Sequence, residues 1–152
     1  MKVMQLIGRS DRVDLPELGL SNIHAKIDTG AYTGSLHCSK AEVSNGRLEF
    51  VVLDEEHPEF TGMKFTVRDY SMKEVKNSFG VTEQRFVIRT VVRMFGEDID
   101  AELTLSDRDE LKFPILLGRK LLRHRFHVDV TKKNLSYKQK IRARKQKKAK
   151  AR

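Results

Sequence analysis

Residues 25–31 of this 152-residue chain read AKIDTGA, a strand pattern that runs into a polar turn. Residues 23–27 alternate between apolar and polar side chains, which is typical of a half-buried strand. Thr29 and Gly30 then allow backbone and side-chain groups to approach the Asp28 carboxylate closely. The segment therefore favours acid–base chemistry at Asp28, although Asp and Gly also occur in ordinary turns.

A second informative segment lies near the end of the β-rich region, where residues 113–122 read FPILLGRKLL. Residues 113–117 predict a short apolar strand, and residues 118–124 predict about two turns of helix. A closing strand is expected at residues 126–130. Taken alone, this pattern predicts only a strand that ends where a helix begins.

The rest of the sequence up to residue 117 predicts strands separated by Gly, Asn and Asp. Residues 47–53 and 63–67 are expected to be strands. The most secure hairpin joins residues 86–95 to residues 99–105 through a turn at residues 96–98. The sequence therefore predicts a mainly β fold with few helices.

Composition and charge limit the class of protein. Apolar residues make up 39% and charged residues 34%, which is typical of a soluble globular chain with one domain. No apolar run approaches the roughly 20 residues of a membrane span, and the first residues lack the apolar stretch of a secretory signal. The one cysteine, Cys38, agrees with a reducing compartment, so we expect a cytoplasmic protein without membrane contact.

The net charge of +9 comes from the C-terminal segment. Eleven of the 30 Lys and Arg residues lie in residues 132–152, which contain no Asp or Glu. We therefore expect a domain over residues 1–131 and a basic tail over residues 132–152, either helical or disordered. The tail suits phosphates of RNA or the ribosome, but Tyr137 is its one aromatic residue, so base stacking is not expected.

Together, the AKIDTGA and FPILLGRKLL segments resemble the retropepsins, in which a strand leads into Asp-Thr-Gly and a later apolar strand enters Gly-Arg and a short helix. Residues 26–37, 89–93 and 113–122 are more closely similar to one bacterial family. This is the RimK-associated, retropepsin-like family often labelled ATP-dependent zinc protease, and the resemblance covers roughly residues 5–130. It implies a retropepsin-like closed β-barrel, the acid protease fold, with one short C-terminal helix.

The resemblance also implies an aspartic-type peptidase, with Asp28, Thr29 and Gly30 as catalytic residues. Since each chain supplies one such motif and the chemistry needs two carboxylates, a homodimer is expected. Ala31 is expected to contact substrate, and the Gly118–Arg119 pair is expected to support the site. Family association with an ATP-grasp glutamate ligase implies a role in trimming glutamate extensions from a ribosomal protein.

Two further residues, Arg89 and Arg93, are candidates for binding acidic substrate. They lie four apart in a predicted strand, so their side chains share a face. The alternative is an ion-paired strand face, with Glu102 on the neighbouring strand as partner.

The sequence departs from the family at two positions near the site. Retroviral enzymes usually carry a second Asp at the position of Tyr32, and the bacterial family commonly has Arg, so Arg119 lacks its expected partner. Gly34 replaces a larger polar residue, which predicts a looser chain after the catalytic turn.

Two loops are candidates for a flap that closes over substrate: residues 54–62 and residues 71–80. The second is preferred because its Gly and small polar residues suit a moving tip. No metal site is expected, because His24, His37, Cys38, His57, His124 and His127 form no motif with zinc-ligand spacing. No Gly-rich phosphate loop is present, so we expect no cofactor. The alternative to an enzyme is a retropepsin-fold binding module that docks through its basic tail on RNA, the ribosome or an acidic protein.

Overall fold

The computed structural model describes residues 3–76, 79–107 and 113–151, and these residues are mostly in β-strands. The strands, in chain order, are β1 Gln5–Ile7, β2 Ser10–Leu15, β3 Leu20–Ile27, β4 Gly34–Ser44, β5 Arg47–Val52, β6 Lys64–Val67, β7 Tyr70–Lys76, β8 Thr82–Met94, β9 Glu97–Ser106, β10 Ile115–Leu117 and β11 Phe126–Val128. The helices are a 3₁₀ turn at Pro16–Leu18, α1 at Arg119–Leu122 and α2 at Leu135–Lys150. The prediction of a mainly β fold is confirmed.

Six strands form a closed ring in the order β10, β3, β2, β8, β9 and β4, because β4 also pairs with β10. β3 and β10 run parallel, with Ile27 beside Leu117, so the ends of the two strands singled out from the sequence are neighbours. β5 and β6 extend the sheet from β4, and β7 pairs with β8. The ring therefore places Asp28 next to the Gly118–Arg119 segment.

The interior of the ring is filled by the apolar side chains that alternate along its strands. In β3, for example, Ile23, Ala25 and Ile27 are buried, whereas the residues between them are at least partly exposed. Each fully buried Leu, Ile or Val stabilises the fold by about 1.5–3 kcal/mol relative to an exposed position. The alternation read from the sequence is thus the pattern that holds the ends of β3 and β10 in place.

The turn of the β8–β9 hairpin begins one residue earlier than predicted. The β8–β9 hairpin is confirmed, but its turn is at Phe95–Gly96, both with positive φ, because Glu97 already pairs with Met94. Two consecutive turn residues with positive φ give a backbone twist that matches the right-handed twist of the flanking strands. Phe95 tolerates this conformation where its ring contacts Phe126 at a centroid distance of 5.9 Å and its N–H donates to Ser136 Oγ. The turn therefore packs against residues from the C-terminal part of the chain.

The short helix α1 differs from its prediction in length. Residues 118–124 were expected to form about two turns, but α1 spans only Arg119–Leu122. Arg123 has an extended conformation and His124 has a φ of 64°, so the chain leaves the helical region and turns toward β11.

Helix α2 occupies most of the basic segment. Of the two alternatives expected for this segment, helical or disordered, the structure shows the helix. The carbonyl of Lys132 accepts a hydrogen bond from Arg9 N at 2.9 Å, and Asn134 N donates to Ser10 O at 2.9 Å. These contacts cross the expected domain boundary between residues 131 and 132, which stays a prediction. Within the described residues, neither this helix nor any other is long and apolar enough to cross a membrane.

Candidate active site at the Asp28 turn

Asp28 directly follows β3 and begins a tight turn. Its backbone N–H donates to Leu117 O at 2.9 Å, which continues the β3–β10 pairing by one residue. Gly30 N donates to Asp28 Oδ1 at 3.0 Å, and Ala31 N donates to the Asp28 carbonyl at 3.3 Å. Asp28 is half-buried, while Thr29 and Gly30 are exposed. The turn therefore orients the carboxylate and leaves it open to a ligand.

Gly118 packs directly beneath this turn and has no room for a side chain. A Cβ at Gly118 would lie 2.6 Å from Tyr32 O and 2.8 Å from Ala31 O. The next two residues donate backbone hydrogen bonds to the same carbonyls, from Arg119 N to Ala31 O at 2.8 Å and from Lys120 N to Tyr32 O at 2.9 Å. The start of α1 thus supports the backbone that follows Asp28.

The side chain of Arg119 contacts the turn by a route that the sequence did not indicate. Its Nη1 donates to Thr29 O at 3.0 Å, and its guanidinium lies 5.9 Å from the centroid of the Tyr32 ring. Tyr32 therefore takes a position beside Arg119 through a cation–π contact in place of a carboxylate. Arg119 is placed as a support of the turn backbone.

Two more cations, which the sequence analysis did not identify, lie at Tyr32. Lys73 Nζ and the Arg123 guanidinium each lie 5.8 Å from the ring centroid, and Lys73 also donates to Thr33 Oγ1 at 2.7 Å. Lys73 comes from β7, so no local pattern pointed to it, whereas Arg123 lies four residues after Arg119 in the helix predicted over residues 118–124. We call Lys73, Arg119 and Arg123 the Tyr32 cation cluster.

Gly34 starts β4 without the looseness that its small size predicted, so that expectation is wrong. Gly34 is buried and pairs with Leu103 of β9, and Thr104 Oγ1 donates to its carbonyl at 3.3 Å. A Cβ at Gly34 would lie 2.4 Å from Leu116 O. Glycine is required here because β10 passes too close for any side chain.

Arg89 and Arg93 lie on β8 and pair with acidic residues of β9. Arg89 Nη2 is 3.4 Å from Glu102 Oε1, and Arg93 Nε is 2.6 Å from Asp98 Oδ1. The predicted pairing of Arg89 with Glu102 is confirmed, and Lys120 Nζ binds the same carboxylate at 2.8 Å. Lys120 holds the pKa of Glu102 below its ordinary value. A groove of about 810 Å³ lies between β8–β9 and α1, and Arg89 is among the residues that line it, whereas Asp28 is not.

Of the side chains considered as zinc donors, His37 is hydrogen-bonded to a carboxylate and Cys38 is buried. His37 Nε2 lies 2.6 Å from Asp54 Oδ2, and this hydrogen bond holds the pKa of Asp54 below its usual range. Burial raises the pKa of the Cys38 thiol to about 12, which disfavours the thiolate that zinc binds. Within the described ranges, no three His, Cys, Asp or Glu side chains form a group that could hold a metal ion.

One of the two flap candidates is residues 71–80, of which residues 71–76 belong to β7. This strand forms a hairpin with β8, from Tyr70 beside Ile88 to Lys76 beside Thr82. The preferred tip includes residues 77 and 78, which lie outside the described residues. Residues 54–62 form a loop whose turns are closed by hydrogen bonds from His57 N to Asp54 O and from Phe60 N to His57 O, both at 3.0 Å.

Comparison with known families agrees with this geometry. The profile of the RimB-like family, described as retropepsin-like aspartic endopeptidase RimB, matches residues 6–139. The chain belongs to this family. The retropepsin-like fold inferred from the AKIDTGA and FPILLGRKLL segments is thereby confirmed, and the matched range contains both.

The curated relatives are named as ligases, whereas the family profile is described as an endopeptidase. A protein from Desulfotalea psychrophila named probable alpha-L-glutamate ligase is 36% identical over 129 residues, and one of the same name from Shewanella pealeana is 33% identical over 128 residues. Each match covers 82% of this chain but only 28% of the relative. This family member therefore corresponds to about a quarter of those longer proteins.

A solved structure shares the fold. The protein Lpg0085 of unknown function from Legionella pneumophila superposes with a TM-score of 0.66, covering 86% of this chain and 97% of the other. The sequence identity is 23%, so this likeness concerns the fold alone.

Proposed function

We propose that this chain is an aspartic-type peptidase that acts as a homodimer, with Asp28 of each protomer in a shared catalytic pair. The observation that carries the proposal is the Asp28 turn: a half-buried carboxylate whose Oδ1 accepts Gly30 N at 3.0 Å, supported from below by Gly118 and Arg119. An isologous dimer with its axis at this turn would bring the two carboxylates together.

The proposed chemistry needs both aspartates. Two carboxylates about 3 Å apart cannot both stay ionised, so the pair holds one proton. The ionised Asp28 removes a proton from a water molecule, and the water oxygen attacks the peptide carbonyl carbon. The protonated Asp28 of the partner donates its proton to the carbonyl oxygen, and a tetrahedral intermediate with two hydroxyl groups forms. The first Asp28 then gives the proton taken from water to the peptide nitrogen while the partner's Asp28 removes a proton from one hydroxyl, so the C–N bond breaks, an acid and an amine leave, and the pair again holds one proton. Exposed Thr29 would brace the pair across the axis, and Gly30 keeps the backbone close.

The β7–β8 hairpin is our proposed flap. Its strand β7 already contacts the catalytic turn, because Lys73 Nζ donates to Thr33 Oγ1 at 2.7 Å. A hairpin attached beside the site can cover a bound peptide and exclude water from it. Phe79 and Val81, near its tip, are exposed and apolar, which suits contact with a substrate backbone or a second flap.

We propose acidic peptides as substrates, with trimming of glutamate extensions on a ribosomal protein as the specific reaction. The Tyr32 cation cluster places three positive charges beside Ala31 and the catalytic turn, which favours carboxylate side chains. Arg89 and Arg93 remain candidates for more distant acidic groups. The glutamate ligase name of the curated relatives supports a glutamate-adding ATP-grasp enzyme as partner. A cytoplasmic location would suit that substrate.

The experiment compares a ribosomal-protein tail carrying added glutamates, the same tail without them, and a general peptide library. Products are identified by mass spectrometry, and light scattering measures the mass of the purified protein. We expect cleavage within or next to the glutamates and a particle of about twice 17.6 kDa. A protein that stays monomeric at tens of micromolar while it cleaves would contradict the shared pair. No cleavage of any peptide would favour the non-catalytic binding module.

A further inference from the structure

Helix α2 consists of two halves with different surroundings. In the first half, Ser136 is buried, and its N–H and that of Tyr137 donate to the Asp11 carboxylate at 2.8 and 3.0 Å. Lys140 Nζ binds Asp14 Oδ2 at 2.8 Å. We call residues 135–141 the anchored half. These contacts attach the helix to β2 and fix the direction in which it continues.

The second half, residues 142–150, extends away from these contacts, and each of its residues is exposed. It is about 13 Å long at 1.5 Å per residue. Six of its nine residues are basic: Arg142, Arg144, Lys145, Lys147, Lys148 and Lys150. Within the part of the chain that the structure describes, none of the six forms an ion pair. We call residues 142–150 the basic arm.

The basic arm brings like charges together at a cost to its own stability. Arg144 is followed three and four residues later by Lys147 and Lys148, and Lys145 by Lys148. Like-charged pairs at these spacings repel each other and destabilise a helix. A polyanion that neutralises these residues would remove the repulsion, so the arm is suited to a highly charged partner.

The distribution of charge around the arm decides between partners. At about 100° per residue, its six cations point in all directions around the helix axis. Its apolar residues are only Ala143 and Ala149, so it lacks the apolar face by which a surface helix enters a membrane. A flat acidic protein surface would leave the cations of the far side unpaired. A partner with phosphates on facing walls would contact most of them.

We propose that the basic arm is an RNA-binding element that enters a groove of a folded RNA and contacts its phosphates. The deep, narrow major groove of A-form RNA brings phosphates of both strands close together. The proposal therefore requires an RNA whose groove is opened by a bulge or loop, so that the helix can enter. The arm carries no aromatic residue for stacking on bases, and Tyr137 lies in the anchored half with Arg12 at 5.4 Å from its ring. Binding is therefore insensitive to base sequence and strongly dependent on salt.

The test measures binding of the full chain to a bulged RNA hairpin by fluorescence anisotropy at 50–200 mM salt. If about six phosphates are neutralised, the slope of log K against log salt is about −5, and affinity falls about a thousandfold across this range. The variant Lys145→Gln/Lys147→Gln/Lys148→Gln should reduce the slope by about 3. As a matched control, Lys40→Gln/Arg47→Gln/Arg68→Gln removes three exposed charges elsewhere and should leave the slope unchanged.

A second variant separates helix shape from charge. Gln146→Pro keeps all six cations but interrupts the helix within the basic arm, because proline lacks the N–H that would bond to the Arg142 carbonyl and its ring clashes with that carbonyl, and we expect about tenfold weaker binding. Gln146→Ala, which keeps both the cations and the helix at the same position, should bind as the wild type does. Wild-type affinity in Gln146→Pro would overturn the groove-binding arm.

Competitors test the identity of the partner. A DNA hairpin of the same shape, poly-L-glutamate and anionic lipid vesicles should each compete less well than the RNA. Equal or better competition by any of them would overturn the assignment to RNA, as would unchanged binding by the triple Lys→Gln variant. Because none of these variants alters the Asp28 turn, failure here leaves the peptidase proposal standing.

Discussion

Asp28 and Asp11 both accept backbone hydrogen bonds, but they do so in opposite surroundings. Asp28 is half-buried and accepts from Gly30, two residues away. Asp11 is 1% exposed and accepts from Arg12 and from Ser136 and Tyr137, which are 125 and 126 residues away. Burial raises the pKa of Asp11, while these hydrogen bonds oppose the rise. One aspartate is partly open to solvent, and the other links β2 to α2.

The comparison separates the chemical role proposed for Asp28 from the structural role of Asp11. A carboxylate that must exchange protons needs an open side and a local support that does not depend on substrate. A buried carboxylate must have its acceptors satisfied, because an unpaired buried charge is costly. Substitutions at the two positions should therefore affect different observables.

The largest effect is expected from Asp28→Asn. The amide has nearly the same shape but cannot take up and release the proton that activates water, so peptide cleavage should fall by several orders of magnitude. Cleavage assays measure the loss, and circular dichroism and light scattering should show an unchanged fold and assembly. Asp69→Asn, at an exposed aspartate, is the control. Substantial cleavage by pure Asp28→Asn protein would remove Asp28 from the chemistry.

Arg119→Lys tests whether the support beneath Asp28 matters for catalysis. Lysine cannot reproduce both the hydrogen bond to Thr29 O and the guanidinium contact with the Tyr32 ring. A lost hydrogen bond from a charged donor is worth about 1.5–3 kcal/mol, so kcat should fall roughly 10- to 100-fold. Because Arg119 positions the turn, KM should change less than kcat. A change confined to KM would instead make Arg119 a substrate-binding residue.

Asp11→Ala should affect stability and leave the Asp28 turn intact. Three backbone N–H groups lose their acceptor, which should lower the free energy of unfolding by about 1–3 kcal/mol. Urea denaturation measures the loss, and hydrogen exchange should become faster at Ser136 and Tyr137. Exposed Asp100→Ala serves as the control. Unchanged exchange at these amides would show that α2 is attached by other contacts.

The smallest effect is expected from Glu102→Gln, which removes the partner of Lys120 and Arg89. Exposed pairs contribute about 0.2–1 kcal/mol. Because the pKa of Glu102 is lowered in the folded protein, its contribution is present above the ordinary value of 4.5 and is lost as pH falls through the folded pKa. Wild type should therefore exceed the variant in stability at pH 7, and the difference should vanish in acid. A difference that persists at low pH would point to packing instead.

The sequence by itself determined the local features of the molecule. The alternation in residues 23–27, the AKIDTGA turn and the Gly-Arg start of α1 each depend on neighbouring residues, whose backbone preferences can be read directly. They were sufficient to identify the retropepsin-like family and to place Asp28 at a strand end. The N–H of Gly30 reaches Asp28 Oδ1 within one turn, so no distant element was needed to predict that geometry.

Only the tertiary structure decided what surrounds that turn. Arg119 reaches Thr29 across 90 residues, Lys73 reaches Thr33 across 40, and Ser136 reaches Asp11 across 125. Such contacts depend on the register of paired strands, where a shift of one residue turns every side chain to the opposite face. Local preferences do not specify register between distant strands. For this reason the sequence indicated the Asp28 turn, whereas the Tyr32 cation cluster and the anchored half of α2 could be recognised only in the tertiary structure.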